Sequence, residues 1–257
     1  MIEITDINDI RISEFKNLKK NLNNINTFVA DGEKVVLKLL NSDLEILKIF
    51  SKKDFILENI DLINSKIDNN NIFYADKQLL ADIIGFRLHT GVMALAVPKV
   101  MTSLENFVGN IVILNNIIDA ENVGSIIRNC IGFGFVNIIL DKQSAYLYQR
   151  RTVRVSMGAV FKINYFYTDN LINIIRQLKQ RYYTIISIEN TTNSENLFDF
   201  KEVSNFALIF GNESKGISKD ILEMSDRILQ IPISKNIDSL NVSNACAIAL
   251  NYFYNLK

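Results

Sequence analysis

Proline is almost missing from this 257-residue chain: Pro98 and Pro232 are the only two. Because proline cannot continue a helix or a central strand, the pair marks places where regular structure stops. Cysteine is equally scarce. Cys130 and Cys246 lie in apolar, helix-like surroundings and join no closely spaced Cys/His set. That excludes the ligand spacing of zinc and iron–sulfur sites, so no metal is expected, and both are read as buried free thiols in a reducing compartment. The single histidine, His89, sits in "FRLHTGVMALA", outside every motif described below, and is assigned a structural role. Net charge is absent too, since 28 basic and 28 acidic residues cancel. The balance therefore gives no global attraction to nucleic acid or membrane, and an RNA partner requires a local patch. The opening "MIEITDINDIRISEF" carries acids where a signal peptide needs a basic start, and no uninterrupted apolar run reaches membrane-spanning length. A cytoplasmic protein is expected.

A hydrophobic fraction of 48% with 22% charged residues suits a soluble globular chain with a real core, as one large domain or two smaller ones. In "DIRISEFKNLKKNLN", Ile10, Ile12, Phe15 and Leu18 among lysines suggest a surface helix, and "FVADGEKVVLKLLNS" predicts a strand, a turn at Gly32 and a helix from about Glu33 to Leu40. Pro98 separates the buried-strand pattern "GVMALAV" from polar "KVMTSLENF", which places a domain boundary near residues 98 to 108. The expected domains are thus 1–100 and 108–257. In the second, "NIVILNNI", "VNIIL", "YTIISI", "FALIFG" and "RILQIPI" read as strands with helical segments between most of them. That alternation predicts an α/β fold, a mostly parallel sheet covered by helices.

Three strand ends in that half carry unusual polar residues, and the carboxyl ends of parallel strands are where such sheets bind ligands. In "DAENVGSIIRNCIGFGF", Asn122 is expected to cap a helix that presents Arg128 to the loop face. The planar fork of Arg128 suits a phosphate or carboxylate, although a surface ion pair gives the same signal. In "FALIFGNESKGIS", Gly211 and Gly216 permit backbone geometry and close approach that other residues resist. Glu213 between them could accept a hydrogen bond from a ligand or orient Arg128, and the glycine spacing is not that of a P-loop. In "LQIPISKNIDSLNVSNACAIALNYF", Ile231-Pro232 ends a strand and Ser239 or Asn241 caps the helix that follows. One cap explains one of those residues and leaves the rest of the string without a reason.

Together, "NVGSIIR", "GNESKG" and "IPISKNIDSLNVSNA" resemble, in order and spacing, the three motifs of the SpoU (TrmH-like) RNA ribose 2′-O-methyltransferases. The resemblance covers roughly residues 108–257, and "RRTVRVSMGAVFKI" looks like the family's segment between its first two motifs. "FVADGEKVVLKLL" and "HTGVMALAVP" are similar to the ribosomal-protein-like substrate-binding domain of many members. The resemblance implies a deep trefoil knot at the carboxyl end of the sheet with S-adenosylmethionine bound in it and S-adenosylhomocysteine as product. It places Gly211, Ile231 and Leu240 at the adenosine, with Gly216 in the same loop. Asn122, Arg128, Glu213, Ser239 and Asn241 fall at the catalytic positions, Glu213 orienting Arg128. Arg154 matches a basic residue common in the family, and Arg150 and Arg151 are weaker candidates for RNA backbone contact.

The implied reaction is methyl transfer to a ribose 2′-hydroxyl of RNA, ribosomal RNA before transfer RNA. A non-catalytic RNA-binding relic is the other reading, and the intact set of five polar residues argues against it. The resemblance also implies a homodimer paired through the C-terminal domain. In the last helix Val242, Ala245, Cys246, Ala249, Leu250 and Phe253 form a stripe that fits that contact, and packing within one chain gives the same pattern.

Overall fold

The five-residue strands Ile111–Asn115 and Asn137–Asp141, apolar at their centres, are buried along their whole length, the signature of strands covered on both faces. They belong to the second of two compact units of the chain, seen in a computed structural model that describes residues 1–16, 25–84, 91–201 and 204–256. The first unit comprises Met1–Val100 with Tyr148–Phe161, and the second Met101–Leu147 with Lys162–Lys257. The segment Tyr148–Phe161 lies inside the range 108–257 expected for the second domain, yet it packs with the first unit. His89 and the stretch 17–24 that the sequence extends as a helix lie outside the described residues.

The first unit carries β1 (Ile2–Glu3), β2 (Phe28–Asp31), β3 (Ile46–Ser51), β4 (Ile72–Tyr74) and β5 (Val92–Ala96). They form a mixed sheet in the order β1-β4-β3-β5-β2. Helices α1 (Glu33–Leu40), α2 (Lys53–Glu58), α3 (Ile60–Asn64) and α4 (Lys77–Ile84) connect them, and α6 (Arg150–Val155) comes from the later segment. The expected helix from Glu33 to Leu40 is α1, while Ile10–Phe15 is a short 3-10 helix that buries Ile12 and Phe15.

What holds Tyr148–Phe161 to β2 is one buried carboxylate and three rings. Asp31 is 3% exposed. It accepts from Arg150 Nε at 2.7 Å, and the same oxygen pairs with Arg150 Nη2. Arg154 Nε stands 3.9 Å from the other carboxylate oxygen. Phe28 packs against Tyr148 and Phe161 with ring centroids 4.9 and 5.8 Å apart.

The second unit carries β6 (Ile111–Asn115), β7 (Asn137–Asp141), β8 (Asn164–Thr168), β9 (Thr184–Ile188), β10 (Glu195–Asn196), β11 (Phe206–Gly211) and β12 (Arg227–Gln230). All pair in parallel, in the order β10-β12-β9-β11-β6-β7-β8. Helices α5 (Ala120–Gly132) and α9 (Val242–Asn255) pack together on one face. On the other face α7 (Leu171–Gln180) and α8 (Lys219–Met224) pack together, with Ile174 and Ile221 joining Ile113, Ile185 and Ile209 of the strands. Each alternate side chain of a strand thus meets a helix. From β6 the chain builds outward through β7 and β8, then returns to the other side of β6 for the remaining strands. The reversal brings the ends of β6 and β11 together, with Asn115 opposite Gly211, and such a switch point opens a crevice beyond the strand ends.

Two details differ from the sequence reading. β8 was not anticipated, because "NYFYT" mixes polar and aromatic residues at a sheet edge. The last long strand ends at Gln230, so Ile231-Pro232 opens the loop after it. Among the described residues, no helix is long and apolar enough to cross a membrane.

Candidate active site

Each motif lands at the carboxyl end of a strand, but the caps differ from expectation. Asp119 caps α5, its side chain accepting from Glu121 N. Asn122 is therefore inside the first turn, buried, with its amide free for a longer-range role. That amide donates to Glu213 Oε1, while its carbonyl oxygen accepts from Asn241 Nδ2 at 3.0 Å. Asn241 is the cap of α9, and its Oδ1 takes Ser243 N at 2.8 Å. One buried asparagine thus ties the loop after β11 to the start of α9. The expected Glu213–Arg128 contact is absent: Arg128 is exposed and makes no hydrogen bond or ion pair among the described residues. Glu213 spends its carboxylate on Asn122 instead.

The loop after β11 is self-supporting. Asn212 Oδ1 accepts from Ser214 N and Lys215 N at 2.9 and 3.1 Å, and Gly216 N donates to Asn212 O at 2.8 Å. A Cβ on Gly211 would stand 2.4 Å from Ile217 N, so the loop, folded back on its strand, occupies the space that only glycine leaves. Gly216 has φ +67°, a left-handed conformation that L side chains disfavour. Glu189, at the end of β9, accepts from Ile217 N at 2.8 Å and fixes the far side of the loop.

Sequence reading missed Glu189 and Asn212, although both immediately follow a parallel strand and the same strand-end rule would have flagged them. A buried network underlies the neighbouring ends. Asn115 Oδ1 accepts from Ser218 N at 3.0 Å, and Asn115 Nδ2 donates to Asp141 Oδ2 at 3.1 Å. Asp141 also accepts from Asn116 N at 2.7 Å and from Ser144 N at 2.9 Å.

These loops enclose a cavity of 560 Å³ lined by Gly211, Gly216, Ile231 and Leu240, together with Glu213 and Ser239. All four expected cofactor residues and two of the five expected catalytic residues are therefore brought to one place. Asn122 and Asn241 attach to it through Glu213, and Arg128 lies outside its lining. Ile188, Phe210 and Leu222 add apolar wall. Thr191 lines the cavity as well, and its Oγ1 is buried without a partner among the described residues. Three carboxylates, Glu189, Glu213 and Asp238, face one ammonium, Lys215. The cavity therefore suits an amphipathic ligand with positive charge more than a phosphate. No group of three or more His, Cys, Asp or Glu that could hold a metal occurs among the described residues.

The stripe on α9 is used inside the chain. Val242, Cys246, Ala249, Leu250 and Phe253 are buried, with Phe253 packed on Phe206 of β11 at 4.7 Å, and Ala245 lines the cavity. Packing within one chain, the alternative the sequence left open, accounts for that stripe. In the first unit Arg150 is committed to Asp31, whereas Arg151 and Arg154 are exposed.

A parallel α/β sheet with a cavity beyond the carboxyl ends of β9 and β11 defines a class that many unrelated enzymes share. The particular family is narrower: residues 109–251 match the SpoU rRNA Methylase family, and the chain belongs to it. A Mycobacterium bovis protein described as an uncharacterized tRNA/rRNA methyltransferase is 28% identical over 263 residues, covering 96% of this chain and 89% of the relative. The AdoMet-bound rRNA methyltransferase of Sinorhizobium meliloti has the same fold, with a TM-score of 0.83 at 21% identity over 98% of this chain and 96% of that one. The SpoU methyltransferase AviRb of Streptomyces viridochromogenes matches with a TM-score of 0.80 at 19% identity, over 96% and 97% of the two chains.

Proposed function

We propose that this chain transfers a methyl group from S-adenosylmethionine to a ribose 2′-hydroxyl of structured RNA, ribosomal RNA in preference to transfer RNA. The observation that carries the reading is the hydrogen-bonded chain Glu213–Asn122–Asn241, which joins all three family motifs beside a cavity lined by Gly211, Gly216, Ile231 and Leu240. The cofactor fits what is there: the apolar wall suits adenine, the unpartnered Thr191 Oγ1 offers a hydrogen bond, and the excess of carboxylates favours a cationic sulfonium. When bound, S-adenosylmethionine supplies an electrophilic methyl group, and the chain's own residues do the rest. Ile231 and Leu240 with the self-supporting backbone of 211–217 hold the adenosine. Glu213, fixed by Asn122, and Ser239 present acceptor and hydroxyl groups to the ribose. Arg128 stands six residues beyond Asn122, about 9 Å along α5, with its guanidinium free to hold an RNA phosphate and to stabilise the developing alkoxide. As a guanidinium stays protonated in proteins, it serves as electrostatic support rather than as base. Arg154 and, less strongly, Arg151 of the first unit are further candidates for contact with the RNA backbone.

The knot and the homodimer implied by family resemblance belong to the same reading, as does a cytoplasmic site of action, consistent with the free thiols of Cys130 and Cys246. Sedimentation at micromolar concentration tests the dimer. The reaction is tested by transfer of labelled methyl to total RNA from a strain lacking this gene, with nuclease digestion and mass mapping. One 2′-O-methylated nucleotide is expected. Incorporation into a base, or none despite measured cofactor binding, overturns the proposal.

A further inference from the structure

A second cavity, of 490 Å³, lies beyond the ends of β6, β7 and β8 and shares only Lys215 and Gly216 with the first. Its floor is apolar, from Leu171, Ile172 and Ile221. Around it stand the side chains of Asn116, Gln143, Lys215 and Asp220, none with a hydrogen bond or ion pair among the described residues. Asn170 also lines it, spending only its Oδ1, on Asn173 N, to cap α7. Asp141, by contrast, is saturated by Asn115, Asn116 and Ser144 and supports the wall without offering a site.

One of the free amides is held at a conformational cost. Asn116 has φ +61°, left-handed and uncommon outside glycine. Asp141 accepts its N–H at 2.7 Å and Asn212 Nδ2 donates to its carbonyl at 2.8 Å, so the backbone is fixed from both sides. Strain that is over-determined in this way gathers at binding sites. Asn212 belongs to the loop that builds the cofactor cavity, so the two cavities rest on common support.

We propose that this second cavity binds a nucleobase of the RNA substrate adjacent to the methylated ribose, an inference that rests on the reading given above. A planar heterocycle has an apolar face for Leu171, Ile172 and Ile221, and an edge bearing both donors and acceptors. Asparagine and glutamine amides supply both in return, as in the bidentate pairing of such amides with adenine. Lys215 and Asp220 add one donor and one acceptor of opposite charge, which leaves the cavity unsuited to a bare phosphate. Single-stranded RNA is read in this manner, by unstacked bases hydrogen-bonded on their edges. The cavity therefore selects sequence, whereas Arg128 holds backbone.

The test is an NMR titration of the labelled full-length protein, saturated with S-adenosylhomocysteine, by each of the four nucleoside 5′-monophosphates and by ribose 5-phosphate. Saturable shifts at residues 116, 143, 170 and 220 are expected for one or two bases and not for ribose 5-phosphate. Asn116→Gly, which tolerates the left-handed backbone, combined with Gln143→Ala should weaken that binding at least tenfold while S-adenosylhomocysteine still binds. Shifts equal for all bases and ribose 5-phosphate, shifts confined to the first cavity, or affinity unchanged in the double variant overturn the proposal. The S-adenosylhomocysteine signal is read separately: its absence counts against the methyltransferase reading, and the nucleotide shifts decide the second cavity either way.

Discussion

The side-chain amide of Asn122 donates to Glu213 across a sequence separation of 91 residues, and its carbonyl oxygen accepts from Asn241. Removing it breaks two links together. Asn122→Ala should lower methyl transfer about tenfold to a hundredfold, in line with the roughly 1–3 kcal/mol cost of orphaned polar partners. Asn122→Asp, which sets two carboxylates against each other, should be worse. Single-turnover transfer with saturating cofactor measures this; full activity in both variants would show that the link has no part in the reaction.

Arg128 is exposed and has no partner among the described residues, so Arg128→Ala should change stability by no more than about 0.5 kcal/mol. Cofactor affinity should hold as well, while transfer to RNA is abolished. Calorimetry and the transfer assay on one preparation separate the two, and an equal loss of both would refute a role for Arg128 toward RNA.

Gly211→Ala places a methyl group 2.4 Å from Ile217 N, and Gly216→Ala strains a residue at φ +67° and meets Glu189 Oε2 at 2.7 Å. Both variants must move the loop that lines the cavity. Cofactor affinity should fall about tenfold in each, equivalent to roughly 1.4 kcal/mol. Unaltered titration isotherms in both would mean the cofactor lies elsewhere.

Arg150→Ala leaves the buried Asp31 carboxylate with Arg154 alone, at 3.9 Å. Breaking a buried pair from one side costs about 3 kcal/mol. A lowered urea midpoint of the first unit is expected, with cofactor binding unchanged. No shift in the midpoint would mean that Arg150 adds little to holding Tyr148–Phe161.

Burial, together with the hydrogen bond its S–H donates to Cys130, pushes the Cys246 thiol well above its ordinary value. A thiol whose folded value is raised holds its proton more tightly in the folded state. Its contribution to stability is therefore complete below the unfolded value of about 8.5 and declines as pH rises past it. At pH 8 both cysteines should react with Ellman's reagent only after unfolding; rapid reaction in the native protein would contradict the burial.

Most of the second unit was legible because its central strands are largely apolar runs, and a run like "FALIFG" fits a strand covered on both faces of a sheet. The strand-end rule then pointed to Gly211, Glu213 and Ser239. What stayed hidden was pairing. Nothing near Asn122 in sequence distinguishes a cap from a partner of Glu213, since Asp119 and Asn122 are both good capping residues. The role of Glu189 is invisible for the same reason: its partner, Ile217 N, is 28 residues away and arrives through the sheet order. The α9 stripe was legible as apolar but silent on what covers it, and the strand order supplied the answer by placing β11 beneath.

The backbone passes between the two units three times, at Val100/Met101, Leu147/Tyr148 and Phe161/Lys162. Neither unit is thus a contiguous stretch that a single cleavage could release intact. A cut near residue 100 leaves Tyr148–Phe161 on the C-terminal fragment, where Val153, Val160 and Phe161 lose the surroundings that bury them and Arg150 loses its counter-charge. The units cannot be inherited or exchanged as beads on a string. A change of the first unit in this lineage must replace two separated pieces of chain together, which ties its history to that of the unit that carries the cavity of Gly211 and Leu240.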